Sequence, residues 1–142
     1  MPRRLTAIAA AAVAALCGAT SAFAAPLAVA PEGVWRNPKD SVHIALKPCN
    51  GQICGYVIWA SPKAEAAAQK GGTAKLVGAQ LLRGFVVDDA GVGRGKVFVP
   101  DLNATFGGSA QLIDARTLRA KGCLFANVIC KTQIWTRIDT PT

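Results

Sequence analysis

Hydrophobic and polar positions alternate along most of this chain with the two-residue period of half-buried β-strands. From Ser41 to Lys47 the run Ser-Val-His-Ile-Ala-Leu-Lys sets Val42, Ile44 and Leu46 on one face and mostly polar side chains on the other. Asn50-Gly51 follows, two residues that tolerate the positive φ of tight reversals, and Ile53 to Trp59 is then rich in β-branched and aromatic side chains, so this region predicts a β-hairpin. Strand-like segments resume at Gln80 to Val87, Lys96 to Val99, Ser109 to Ile113, Thr117 to Lys121 and Thr132 to Ile138. Between them stand the turn-forming stretches Asp88-Asp89-Ala90-Gly91, Gly107-Gly108 and Asp114-Ala115-Arg116. Only Lys63 to Lys70 breaks the pattern: it follows Ser61-Pro62, carries three consecutive alanines that favour helix, and is stopped by Gly71-Gly72.

With Gly33 to Arg36 the pattern amounts to about eight short strands. Turns recur too often for alternating β-α units, and such a chain must stack two sheets or curl one sheet closed to remove its edges. The expected fold is therefore all-β, a small antiparallel up-and-down barrel of about eight strands with one short helix. Thr117-Leu118-Arg119-Ala120-Lys121 suits it, since three polar side chains alternate with two apolar ones.

The first 24 residues change the setting. Met1-Pro2-Arg3-Arg4 precedes an apolar run from Leu5 to Leu16, and Ala22-Phe23-Ala24 offers a small-x-small cleavage site, the layout of a secretory signal peptide cut before Ala25. The run is shorter than the roughly 20 residues of a membrane-spanning helix, and no later segment is long enough, so no transmembrane segment is expected. Leu16 beside Cys17 does not suit lipid attachment, which wants a small residue before the cysteine. Cleavage leaves 118 of the 142 residues, one domain over residues 25–142, expected in the periplasm or secreted.

Removing Arg3 and Arg4 leaves 14 basic against 8 acidic side chains and lowers the formal charge from +8 to +6. The basic residues from Arg36 to Arg137 are scattered, with no stripe of the kind that tracks a phosphate backbone, so nucleic acid is not an expected partner. Cys17 leaves with the signal, and four cysteines remain: Cys49, Cys54, Cys123 and Cys130. In an oxidising compartment an even set reads as two disulfides. Four thiols permit three connectivities. The short C-x4-C and C-x6-C spacings favour local pairing, Cys49 with Cys54 and Cys123 with Cys130, with cross-linking between hairpins as the alternative. A ring this small contributes about 2 to 2.5 kcal/mol on the loop-entropy model.

No constellation points to catalysis or to a bound metal. The C-x2-C knuckles of structural zinc and of redox-active pairs are absent. His43, the only histidine, falls on the polar face of its strand, and no nucleophile motif surrounds Ser41, Ser61 or Ser109. Asp88 and Asp89 are adjacent and diverge, as loop residues do. Gly91-Val92-Gly93-Arg94-Gly95 imitates a phosphate-cradling loop, but a strand pattern follows it where a helix should start. Neither catalytic residues nor a cofactor are assigned.

Gly33-Val34-Trp35 opens the first strand and Trp135-Thr136-Arg137 closes the last. The arrangement resembles the signature of lipocalins and related calycin barrels, whose Gly-x-Trp packs against an arginine of the last strand and seals one end. The resemblance implies that Gly33, Trp35, Trp135 and Arg137 close the barrel, with a cation-π contact of about 0.5 to 2 kcal/mol between Trp35 and Arg137. A wider resemblance covers Gly33-x-Trp35, Cys49-Asn50-Gly51-Gln52-Ile53-Cys54-Gly55, Gly95-Lys96-Val97-Phe98-Val99-Pro100-Asp101 and Gly122-Cys123 through Cys130-Lys131-Thr132-Gln133-Ile134-Trp135-Thr136-Arg137. In order and spacing these resemble the bacterial exported family called domain of unknown function 2147. That resemblance implies a lipocalin-like barrel in the periplasm or outside the cell, with no activity or ligand contacts to carry over. The chain departs from many relatives at Gln69-Lys70-Gly71-Gly72-Thr73 and Val92-Gly93-Arg94, where those carry an Asp-x-x-Asn-Pro stretch and a further Trp.

The expected function is binding of a small, partly apolar molecule of the envelope in the barrel mouth or interior, by a protein that is not an enzyme. An aromatic-poor interior of Val, Ile, Leu and Ala is expected to leave room. Three alternatives stand: an interior filled by its own side chains, an interaction or inhibitor module presenting the loop Asp88 to Arg94, and an enzyme using His43. The pattern leaves open which row of the last strand faces inward, Gln133, Trp135 and Arg137 or Ile134 and Ile138.

Overall fold

A computed structural model describes residues 30–124 and 128–139, so the signal-peptide segment 1–24 and Cys17 lie outside the described residues. Eight strands follow in chain order: β1 (Gly33–Arg36), β2 (Val42–Cys49), β3 (Gln52–Ala60), β4 (Gln80–Val87), β5 (Val92–Val99), β6 (Ala104–Asp114), β7 (Thr117–Leu124) and β8 (Ile129–Arg137). One helix, α1 (Pro62–Lys70), joins β3 to β4, and a single 3-10 turn, Pro100–Leu102, precedes β6. Each strand pairs antiparallel with the next, and β1 pairs with β8 through Trp35 opposite Arg137 and Arg36 opposite Thr136. The result is a closed eight-stranded up-and-down barrel with no free sheet edge. No helix among the described residues is long and apolar enough to cross a membrane.

The two-residue period translates into an inner row on each strand. Val42, Ile44 and Leu46 of β2 lie in or against the core, as the alternation predicts, and Ile44 and Leu46 stand opposite Val57 and Gly55 of β3. At the β2–β3 reversal Asn50 and Gly51 both take positive φ, 50° and 75°. A register shift near His43 and Ile44 adds a residue to β3, so that Val42 meets Ala60 and His43 meets Trp59.

The hairpins β2–β3, β4–β5 and β6–β7 turn at one end, alongside residues 30–32 where the described chain begins. The other end carries α1 and the 3-10 turn. Ser61 caps α1 by accepting the Ala64 N–H at 3.2 Å, and Glu65 accepts the N–H groups of Leu76 (3.0 Å) and Val77 (3.1 Å), which folds the following loop back onto the helix. Ala68 and Leu76 are buried there as part of the core. Thr73 Oγ1 donates to the Pro100 carbonyl at 2.8 Å, and a side chain at Gly71 would run into the Asp101 backbone. The helix and the 3-10 turn are thus docked on each other beside one barrel end.

Strands β5 to β8 all extend beyond their predicted bounds, β7 to Leu124 and β8 from Ile129. β5 begins at Val92, before the expected Lys96, and β6 begins at Ala104, before the expected Ser109, so Gly107-Gly108 lies mid-strand and is not a turn. These glycines answer to tertiary packing. A Cβ at Gly95 would stand 2.6 Å from the Phe85 ring and 2.8 Å from the Arg83 carbonyl, while a Cβ at Gly108 would overlap Val97. Gly95→Ala should therefore lower the midpoint of urea unfolding with an unchanged slope, a loss of about 1 to 3 kcal/mol. Gly107→Ala, whose added carbon meets nothing within 4 Å, should stay within about 0.5 kcal/mol of the parent.

Candidate functional site

Two constructions occupy the barrel axis: a polar lock at the end where residues 30–32 lie, and a hollow interior above it. The lock is built on Arg137, 2% exposed, whose guanidinium carbon lies 4.4 Å from the Trp35 ring. Its Nε donates to the Ala115 carbonyl at 2.8 Å, Nη1 to Glu32 at 2.5 Å and Nη2 to Ala30 at 2.7 Å. Asp139 stands 3.7 Å from Nη1. A buried cation is tolerable only when its donors are met, and here all three guanidinium nitrogens reach carbonyl oxygens. Trp35 is wholly buried and donates its Nε1–H to the Pro31 carbonyl at 2.9 Å. Gly33 takes φ +129°, and a Cβ there would come within 2.5 Å of Asp139 and closer still to Arg137. The glycine of the Gly-x-Trp pair is thus the space that the guanidinium and carboxylate occupy.

β8 answers the question its sequence left open. Trp135 is 8% exposed and Ile134 44%, so the row Arg137, Trp135, Gln133, Lys131 is the inner one. Trp135 stands opposite Leu118, Gln133 opposite Ala120 and Lys131 opposite Gly122.

The interior is hollow. A cavity of about 510 Å³ opens toward the α1 end, lined by Ile44, Val97, Phe106, Ala120, Gly122 and Trp135, with Gln133 and Lys131 also bordering it. A second, of about 350 Å³, lies toward the lock, lined by Leu46, Ile53, Phe85, Gly93, Ala110 and Leu112. Leu82 and Leu118 border both and form the partition between them. The expected aromatic-poor interior is corrected: Trp35, Phe85 and Trp135 all belong to the core. Room survives where β7 places Ala120 and Gly122 on the cavity. Gly93 and Gly95 on β5, Gly108 and Ala110 on β6, and Ala120 and Gly122 on β7 form a wall of small residues joined by register, Gly95 opposite Gly108, Gly93 opposite Ala110, and Ala110 opposite Ala120. The signal was present as small residues two apart on three successive strands; reading Gly107-Gly108 and Gly91 to Gly95 as turn material hid it.

The four cysteines pair locally, Cys49 with Cys54 across the β2–β3 reversal and Cys123 with Cys130 between β7 and β8. One bond pins the lock end and the other the open end. The remaining polar candidates are engaged on the outside. His43 Nε2 lies 2.7 Å from Asp40 and its ring packs on Trp59 at 4.5 Å between centroids. The hydrogen bond from His43, aided by Arg36, holds the Asp40 carboxyl below its ordinary value. Asp88 accepts the N–H groups of Val92 (2.9 Å) and Ala90 (3.0 Å) and pairs with Arg94, so it shapes the β4–β5 turn while Asp89 projects from it. No group of three His, Cys, Asp or Glu side chains converges among the described residues.

The family described as "Uncharacterized protein conserved in bacteria (DUF2147)" matches residues 33–137. Among solved structures the chain is similar to one titled "Protein HP1028 from the human pathogen Helicobacter pylori belongs to the lipocalin family", with a TM-score of 0.63 and 14% identity over 79% of this chain and 85% of that one. At that identity the likeness is one of fold. No curated protein matches the chain.

Two outcomes follow from this geometry. Arg137→Lys keeps the charge but gives up the planar fork that meets three carbonyls, and should destabilise the barrel by about 2 to 4 kcal/mol in urea titration followed by tryptophan fluorescence. The Asp88 carboxyl, held down chiefly by the Val92 N–H and then by Arg94, should titrate below 3.8 in a carbon-detected NMR series. A depressed carboxylate supports its turn above the unfolded value, so the Ala90 and Val92 amide signals should move only as pH falls through that lowered midpoint.

Proposed function

We propose that this chain, which belongs to the DUF2147 family, is an exported, non-catalytic barrel that binds a small, partly apolar molecule in the cavity above Trp135. The observation that carries the reading is the unfilled end of the interior: a cavity of about 510 Å³ in which Ala120 and Gly122 face Gln133 and Lys131 where larger side chains would close it. Side chains filling the barrel for stability alone would place larger residues at Ala120 and Gly122, since unfilled apolar volume weakens a core. The size suits a small-molecule site, which typically spans about 300 to 1,000 Å³.

Export rests on the signal-like segment before Ala25 and is supported by the two disulfides, which persist in oxidising compartments. The absence of catalysis is supported by the engagement of His43 with Asp40 and Trp59 on the outer surface, away from the cavity. A second reading, a protein-interaction module presenting Asp88 to Arg94, draws support from the exposed Val86 and Val87 beside that loop.

The cavity reading is tested with the oxidised, processed protein and the neutral fluorophore N-phenyl-1-naphthylamine. Saturable enhancement at one site per chain is expected. Gly122→Trp, at a position whose Cβ meets nothing within 4 Å, should fill the opening, weaken the probe at least about tenfold and leave the melting temperature unchanged or higher. Equal binding by parent and variant, or none by either, overturns the reading.

A further inference from the structure

We propose that the cavity takes a single-chain anionic amphiphile, tail inward and head at the lip, with Lys131 as the residue that selects the charge. This deepens the proposed function and rests on it. The inner row of β8 climbs from the lock to the opening as Arg137, Trp135, Gln133 and Lys131, and the polar character of its members changes with height. Arg137 has its charge spent on three carbonyls and the Trp35 face, so it offers nothing to a ligand. Trp135 forms part of the apolar floor with Leu118 and Leu82. Gln133 and Lys131, both bordering the cavity, stand opposite Ala120 and Gly122, whose lack of bulk leaves their polar ends an open path into it.

The Lys131 side chain is exposed and has no ion pair or hydrogen bond among the described residues. The other charged side chains bordering the cavity are Lys121, which alternation places on the outer row, and Asp101 of the 3-10 turn, which makes no ion pair with Lys131. Four residues of strand separate Lys131 from Trp135, about 13 Å along β8, over which an extended chain would lie against Ala120 and Gly122. Around the same end Leu102, Val128 and Ile129 are exposed, an apolar rim over which a tail could enter. A cation at the lip of an apolar shaft favours an anion joined to a hydrocarbon chain, and Gln133 just below adds a donor and an acceptor for head-group oxygens. A carboxylate and a phosphate monoester share this chemistry.

The test is displacement of N-phenyl-1-naphthylamine from the oxidised, processed chain by dodecanoate, dodecyl phosphate, dodecanol and dodecylamine below their aggregation limits. For the parent, the two anions should compete at about five-fold lower concentration than dodecanol, and whichever anion competes better identifies the head group. Lys131→Met should bring the anions to the level of dodecanol while leaving dodecanol itself unchanged, and Lys131→Glu should reverse the preference toward dodecylamine. Melting curves of both variants should match the parent, since the side chain is exposed. If dodecanol matches the anions in the parent, or the anion preference survives in Lys131→Met, the head-group assignment is wrong and the cavity reading stands. If the fluorophore itself does not bind, the cavity reading fails first.

Discussion

The burial of one guanidinium decides the architecture. β1 is only four residues long and meets β8 through two residue pairs, too little backbone pairing to hold a cylinder shut by itself. Arg137 supplies the missing connection by reaching carbonyls from three separate points, Ala30 and Glu32 before β1 and Ala115 in the β6–β7 turn, while Trp35 covers its face. Desolvating such a charge is tolerable because every nitrogen has a partner, and the same requirement fixes the neighbours: a glycine at position 33, a tryptophan at 35 and residues 30–32 held over the end. Closing the sheet in turn removes every exposed edge, so the seam guards against association through free strands.

Once the cylinder is shut, its inner surface need not be filled evenly. Bulky side chains from β1 to β4, Leu118 of β7 and Trp135 of β8 supply the apolar burial, and the small residues Ala120 and Gly122 of β7 leave a gap toward the open end. Glycine in a strand is unfavourable for backbone entropy, so three strands carrying small residues at facing positions mark a surface where something must approach closely. At Gly95 and Gly108 that something is the protein's own Phe85 and Val97. At Gly122 no described residue fills the space, and the cavity opens there.

The two ends of the barrel are therefore unlike. One is sealed by an ion whose donors are satisfied, and the other carries an exposed lysine and an apolar rim around an open cavity. A disulfide lies at each, Cys49–Cys54 by the sealed end and Cys123–Cys130 on the strands that bear the opening. The second ties β7 and β8 together beside Gly122 and Lys131, which keeps the lip of the cavity in register with its floor.

Strand number, the first hairpin, the helix after Ser61-Pro62 and the local pairing of the cysteines were legible in the chain, because each depends on neighbours within a few residues: alternation, turn chemistry, capping and short loop closure. The β4–β5 turn built by Asp88 belongs to the same class. The inner row of β8 was not legible, since Trp135 and Ile134 are equally apolar and only the approach of β1 to β8 decides which of them is covered. Nor was the role of Gly93, Gly95 and Gly108, because a glycine has no side chain with which to announce that a ring from another strand needs its place. Local periodicity determined the elements of this protein; ring closure, which brings residues about a hundred positions apart into contact, decided which faces are inside and where the inside is left unfilled.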